Sequence, residues 1–414
     1  MMADDNGRQA TTRSGWAAKP RSYAQSDSLM SGEAIEPSPI QVPQSDLDDL
    51  RRRLEQIRWP DRETVSNWSQ GVPSHRLRAL MDRWRDGYDW RRCEARLNAL
   101  GPHRTVLEGL GVHFLHVRSP HAEATPLLMT HGWPGSVLEF AKVIGPLTDP
   151  VAHGGKASDA FHVVAPALPG FGFSDKPTEA GWTLSRTARA WAELMDRLGY
   201  GDGYLAQGGD LGAGVTLRLA EQRPAGLRAI HLNFLPPHAP SVVDESSESE
   251  RRALAQLSYY HAEMSAYAEL HRTRPQTLAY ALADSPVAQA AWMYNMFLTP
   301  TDDPDPALGG WADIAPYDEM LDDISLYWLT NSGGSSARLY WESFRKDFSL
   351  VPVDVPAGYT VFPKEIFRAP RAWVEGAFSN LIYWNEVDRG GHFAAWEQPE
   401  LFVDEIRACF RPFH

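Results

Sequence analysis

Between residues 37 and 100 the apolar positions recur at helical spacing. Leu47, Leu50, Leu54 and Ile57 line one face of a first helix, with Ser45 as its expected N-cap and Trp59-Pro60-Asp61 as its stop. Leu77, Leu80, Met81 and Trp84 mark a second helix, and Tyr88, Trp90 and Leu97 carry the aromatic-rich pattern onward. Helices with so many large side chains need a larger body to pack on. From about residue 104 the period changes. Val106-Leu107, Val112 to Val117, Pro126 to Thr130 and Phe161 to Ala165 are short apolar runs bounded by breakers, as strands are. A helical pattern from Ser185 to Leu198 follows them.

Residues 236–345 are rich in Ala, Leu, Tyr and Trp at helical period, with an acidic, Pro-rich joint from Asp302 to Pro306. The strand pattern returns at Tyr359 to Phe362 and Leu381 to Trp384, and a helix is expected from Pro399 to Phe410. Strand, helix, strand order predicts an α/β fold with a mostly parallel central sheet. The chain therefore divides into five parts. Residues 1–36, polar and low in apolar character, are expected to form a disordered tail. Residues 37–103 form an N-terminal helical extension. Residues 104–235 and 346–414 form the two parts of the core. Residues 236–345 form a helical insertion, or lid.

Composition narrows the function. At 414 residues and 43 % hydrophobic, the chain can bury a large core with an insertion. Its net charge of −13 speaks against a nucleic-acid partner, which calls for a basic face. Cys93 and Cys409 are too few for a disulfide framework or a zinc site and are expected to be buried thiols. No run reaches the ~18 apolar residues of a membrane helix, and the N-terminal stretch has no apolar leader. The expectation is a cytoplasmic enzyme without a membrane partner.

Gly208-Gly209-Asp210-Leu211-Gly212 follows a short apolar strand, Tyr204-Leu205-Ala206, and precedes a helix expected to start near Ala213. Small residues two before and two after a central residue suit a tight strand-to-helix turn that exposes a nucleophile. The centre is an aspartate, not a serine. A carboxylate can displace a leaving group at an sp³ carbon and form an ester that water then hydrolyses. An epoxide oxygen or a halide is such a leaving group. The plain alternative is that Asp210 only caps the helix.

Gly390-Gly391-His392-Phe393 sits late in the chain between a strand and the last helix, where an α/β hydrolase carries its base. Glu365, after the strand Tyr359 to Phe362, lies upstream of it, in the chain order nucleophile, acid, base. Asp354 and Glu386 compete for the acid role. His131-Gly132-Trp133-Pro134-Gly135 follows another strand. Its Trp133 N–H, with the N–H of Leu211 after the nucleophile, is expected to form an oxyanion hole. His131 is a candidate for supporting that loop. An epoxide also needs an acid, and a tyrosine phenol serves at neutral pH. The insertion offers Tyr259, Tyr260, Tyr267, Tyr280, Tyr294, Tyr317, Tyr327 and Tyr340, and composition does not choose among them.

From residue 37 to the end, the chain resembles the microsomal-type epoxide hydrolases, including their N-terminal helical domain. The N-terminal likeness rests on Leu50 to Asp61, Trp68, Gly71, Asp89-Trp90, Asn98 and Val112 to Ser119. In the core it rests on His131-Gly132-Trp133-Pro134-Gly135-Ser136, Pro169-Gly170-Phe171-Gly172-Phe173-Ser174 and Gln207-Gly208-Gly209-Asp210. Asp284-Ser285-Pro286-Val287 and Arg389-Gly390-Gly391-His392-Phe393 complete it. The resemblance implies Asp210 as nucleophile, His392 as base and Glu365 as acid. It also implies Tyr267 and Tyr340 as the lid tyrosines. Leu211 stands where the family often has Trp, and Ala288 where its lids commonly have Gly. Mammalian members carry a membrane anchor that this chain lacks, so a soluble form is implied. Soluble actinobacterial relatives act on arene-bearing epoxides in enediyne biosynthesis, and the high Arg, Ala, Gly and Trp content fits such a source.

The expected function is a cofactor-free, metal-free hydrolase of a small-molecule epoxide, aryl- or otherwise bulky-substituted, acting as a monomer or homodimer. Two rivals stand beside it. A haloalkane dehalogenase also uses Asp in this turn but binds halide with N–H donors. A non-catalytic binding protein on the same scaffold would bind without turnover.

Overall fold

A computed structural model describes residues 34–300, 311–344, 347, 350 and 352–414. Most of the expected tail, and the joint from Asp302 to Pro306, lie outside the described residues.

The first strand, β1 (Glu36–Pro37), pairs antiparallel with β2 (Pro102–Leu107), so the last residue of the expected tail, Glu36, belongs to the sheet. Three helices separate them: α1 (Gln44–Glu55), α2 (Ser74–Asp86) and α3 (Trp90–Ala99). Ser45 is not the cap of α1. The helix starts at Gln44, two residues earlier than a Ser45 cap would set, behind Pro43, whose ring fixes φ at −56° and which offers no side-chain cap. It also stops at Glu55, before the Trp59-Pro60 breaker, and leaves Ile57 outside the helix.

The remaining core strands are β3 (Leu110–Val117), β4 (Thr125–Thr130), β5 (Phe161–Pro166), β6 (Tyr204–Gly208) and β7 (Leu227–Leu232). After the insertion come β10 (Ala357–Val361) and β11 (Leu381–Glu386). They form one sheet in the order β1-β2-β3-β5-β4-β6-β7-β10-β11. It is antiparallel from β1 to β5 and parallel from β5 to β11. Every residue of β6 is buried, as a strand covered on both faces requires. The covering helices are α4 (Ile144–Thr148), α5 (Leu184–Arg197) and α6 (Asp210–Gln222), with α13 (Arg371–Ala377), α14 (Ala394–Glu397) and α15 (Pro399–Phe410) later in the chain. α5 and α6 pack into one apolar cluster, α4 and α15 into the other.

The insertion between β7 and β10 contains α7 (Glu248–Tyr259), a single π turn (Tyr260–Met264), α8 (Ala266–Thr273), α9 (Pro275–Asp284) and α10 (Pro286–Tyr294). α11 (Tyr317–Leu329) and α12 (Gly333–Ser343) complete it. It is not wholly helical. A two-stranded antiparallel hairpin, β8 (Leu298–Pro300) and β9 (Trp311–Asp313), interrupts it where the chain turns back on itself.

The N-terminal helices hold the insertion by polar contacts. Arg83 grips Asp318 through two nitrogens, at 2.6 and 2.7 Å. Buried Asp322 accepts from Arg92 (2.9 Å), Arg96 (2.8 Å) and the Tyr88 hydroxyl (2.9 Å). Trp84 Nε1 donates to Ser325 Oγ at 2.9 Å. Cys93 and Cys409 are buried free thiols. Among the described residues no helix is long and apolar enough to cross a membrane.

Candidate active site

The loops at the carboxyl ends of β4, β6, β10 and β11 converge, the edge at which parallel sheets build their sites. The turn after β6 is tight because two glycines let it be. A Cβ on Gly208 would collide with the Gly212 carbonyl, and one on Gly212 with the Thr130 carbonyl. Between them Asp210 takes φ +48°, a strained value for a residue with a side chain. Asp210 is the first residue of α6, so the helix starts three residues earlier than Ala213.

One Asp210 oxygen, Oδ1, accepts from the Trp133 N–H at 2.8 Å. The other, Oδ2, lies 3.3 Å from His392 Nε2. His392 Nδ1 is 2.6 Å from Glu365 Oε1. Burial disfavours the imidazolium, but the charge of Glu365 and the hydrogen bond to Asp210 outweigh it. His392 is held well above its ordinary range. The competitors of Glu365 are elsewhere: Asp354 pairs with Arg223 at 2.5 Å, and Glu386 is exposed. Leu211 is buried as the second residue of α6, where an N–H has no acceptor within the helix.

The Trp133-Pro134 bond is cis. Behind it His131 is buried and neutral, pushed down to about 4 by burial. It accepts from the Leu168 N–H (3.2 Å) and donates through Nδ1 to the Gly132 carbonyl (2.9 Å), which supports the loop. The Tyr327 hydroxyl braces the same loop, donating to the Gly135 carbonyl at 2.8 Å.

Over Asp210 the insertion places an aromatic roof. Tyr267 on α8 stacks on Trp133, with ring centroids 5.1 Å apart and planes 14° apart. Tyr340 on α12 meets Trp133 edge-on at 6.2 Å and lies 6.2 Å from Tyr267. Burial, together with neighbouring phenols and the Asp210 charge, pushes both phenols well above their ordinary range, so both stay protonated donors. Of the other six tyrosines, Tyr259 and Tyr280 are exposed, and Tyr294 donates to Asp313 at 2.6 Å.

The family model described as "Epoxide hydrolase N terminus" matches residues 35–140, and "alpha/beta hydrolase fold" matches residues 125–283. A Stigmatella aurantiaca protein named "Putative epoxide hydrolase" is 58 % identical over 91 % of this chain and 85 % of its own. This chain belongs to the epoxide hydrolase family. "Epoxide hydrolase 1" of Sus scrofa is 34 % identical over 91 % of this chain and 88 % of its own. The solved structure of Aspergillus niger epoxide hydrolase superposes with a TM-score of 0.81 at 31 % identity, over 92 % of this chain and 97 % of that one. That of juvenile hormone epoxide hydrolase from Bombyx mori gives 0.80 at 26 %, over 92 % and 95 %. Family membership decides against the dehalogenase and the silent scaffold.

Of the other candidate phenols, Tyr260, in the π turn, interacts with Tyr267 and is pushed up to about 12 by burial. The epoxide hydrolase site also contains residues that sequence reasoning passed over. His271 contacts Trp133 (4.5 Å) and Tyr340 (4.9 Å) and accepts from Trp292 Nε1 at 2.9 Å. The helical spacing of Tyr267 and His271, i and i+4, was the available signal. Glu139 reaches back to Gly135, where an added Cβ would collide with its carboxylate. Nothing in the local pattern marks that contact. Among the described residues no group of three or more His, Cys, Asp or Glu could hold a metal ion.

Proposed function

We propose that this enzyme turns an epoxide and water into a vicinal diol through an ester on Asp210. Asp210 Oδ2 attacks an epoxide carbon, the ring C–O bond breaks, and the leaving oxygen takes a proton from Tyr267 or Tyr340. His392, oriented by Glu365, then takes a proton from water as that water adds to the ester carbonyl. The Trp133 and Leu211 N–H groups receive the oxyanion. Collapse breaks the ester C–O bond, the released oxygen takes the remaining proton of the attacking water to complete the diol and leave Asp210 a carboxylate, and one proton returns from His392 to the tyrosine. One oxygen of Asp210 leaves in the diol and is replaced from water.

The observation that carries this reading is the contact chain Glu365–His392–Asp210, with Trp133 N–H on the second carboxylate oxygen. The roof of Trp133, Tyr267, His271 and Tyr340 supports aryl- or otherwise bulky-substituted epoxides as substrates, which stack on such walls. The same reading takes residues 37–103 as the N-terminal domain, 236–345 as the lid, and the flanking segments as the core. It expects a cytoplasmic enzyme, monomeric or homodimeric.

The test is the intact mass of His392→Gln after exposure to styrene oxide. Ester formation proceeds without the base while hydrolysis stalls, so a mass gain of one epoxide on Asp210 is expected. Diol from the wild type with no adduct on the variant would sink the mechanism.

A further inference from the structure

Beneath the triad lies a small cavity with room for about one water. It touches both Asp210 and His392, and none of its lining residues belongs to the insertion. Most of its wall is apolar, Phe402 among it, and besides Asp210 and His392 the polar residues Thr130, Glu139, Gln207 and Asn233 line it; two of these, Glu139 and Gln207, stand out.

Neither is explained by the fold. Gln207 is 1 % exposed and its Nε2 donates to Asn233 Oδ1 at 2.9 Å, but its Oε1 has no partner. A buried acceptor left unpaired is costly, and a water in the adjoining space relieves it. Glu139 lies against the oxyanion loop in room that only a glycine at 135 leaves. Close by, Ser136 Oγ donates to Asp323 Oδ1 at 2.5 Å, and Asp323 Oδ2 is buried and unpaired.

Resting on the Asp210 ester reading, we propose that this space is the hydrolytic-water chamber. Glu139 and Gln207 hold the attacking water beneath Asp210, so that water comes from the side opposite the tyrosines that hold the epoxide. The water needs two acceptors. One proton passes to His392 Nε2 as its oxygen bonds to the Asp210 ester carbon. The other O–H donates to Gln207 Oε1 or to the Glu139 carboxyl. Burial and then Asp323 push Glu139 up to about 8, against a downward pull from His392, so it stands as a neutral carboxyl whose carbonyl oxygen still accepts.

The experiment is single-turnover rapid quench with excess enzyme and styrene oxide, reading ester formation and ester loss separately by intact mass. Glu139→Ala is expected to form the ester within about twofold of the wild-type rate and to lose it about 10²-fold more slowly. Glu139→Gln, which keeps the hydrogen-bonding capacity, is expected to recover most of that loss. Ala395→Leu, which fills the space without touching a polar group, gives an independent measure should the Glu139 variants fail to fold. It too is expected to slow ester loss alone. Unchanged ester loss in either Glu139→Ala or Ala395→Leu, or an equal fall in both steps, overturns the chamber. No ester in His392→Gln overturns the Asp210 reading, and the chamber with it. An ester there beside unchanged hydrolysis in Glu139→Ala overturns the chamber alone.

Discussion

Asp210 divides two unlike environments. Above it the walls are aromatic, and the polar groups that reach in are phenols kept protonated by burial. Beneath it the wall is made of Phe140, Phe393, Phe402 and two alanines, and its polar groups include a carboxyl and an unpaired amide oxygen that accept. Burial acts on both sides in the same sense, disfavouring charge. Its chemical result differs because the groups differ. A neutral phenol is a donor ready for a leaving oxygen, and an unpaired carbonyl is an acceptor ready for water. In the proposed mechanism one physical effect thereby serves two half-reactions on opposite faces of one carboxylate.

The contrast can be broken most directly at its centre. Asp210→Asn is expected to lower diol formation by at least about 10⁴-fold, measured by steady-state product formation. The same change removes a charge that raises His392, so its imidazole pKa, followed by NMR, should fall. The upper face comes next. Tyr267→Phe and Tyr340→Phe should each slow ester formation by about 10²-fold, and the double change by more. Ester loss should be nearly unaffected, the mirror image of the result expected for Glu139→Ala.

Smaller effects concern what holds the two faces in place. Asp322→Ala strips the partner of Arg92, Arg96 and Tyr88. Because both arginines are well exposed, we expect a loss of about 2 kcal/mol in urea unfolding, below the range for a fully buried pair. Smallest is a pH effect. Burial pushes Asp323 up to about 8 from an ordinary value of 3.8. Between those values the folded state holds a proton that the unfolded chain has lost, so stability falls as pH rises through that window. Glu139 acts in the same sense. Asp323→Asn should therefore flatten the decline in unfolding free energy between about pH 5 and about pH 8.

Much of this was legible in the residues themselves. Gly208 and Gly212 around Asp210 announce a tight turn because nothing larger fits beside the Thr130 and Gly212 carbonyls. His392 stood out by its place after a strand, whereas Glu365 shared its candidacy with Asp354 and Glu386 until the family likeness chose it. The tyrosines were not legible from composition, since the choice depends on how α8 and α12 cross above Trp133; only the family likeness singled out Tyr267 and Tyr340. Glu139 escaped notice because its significance lies in a space enclosed by residues from four separate segments. The misplaced start of α1 has a simpler cause: Pro43 sets the backbone as a capping serine would, so Ser45 has no work to do.

The seam between the N-terminal helices and α11 carries a practical warning for anyone engineering this enzyme. Arg92 and Arg96 look like surface positions, open to substitution for solubility or immobilisation. Yet both grip Asp322, and the next residue along the chain accepts from Ser136, beside the loop that carries Trp133. A library that randomises those arginines samples catalytic geometry while appearing to sample only the exterior, and its best and worst clones should be sequenced there first.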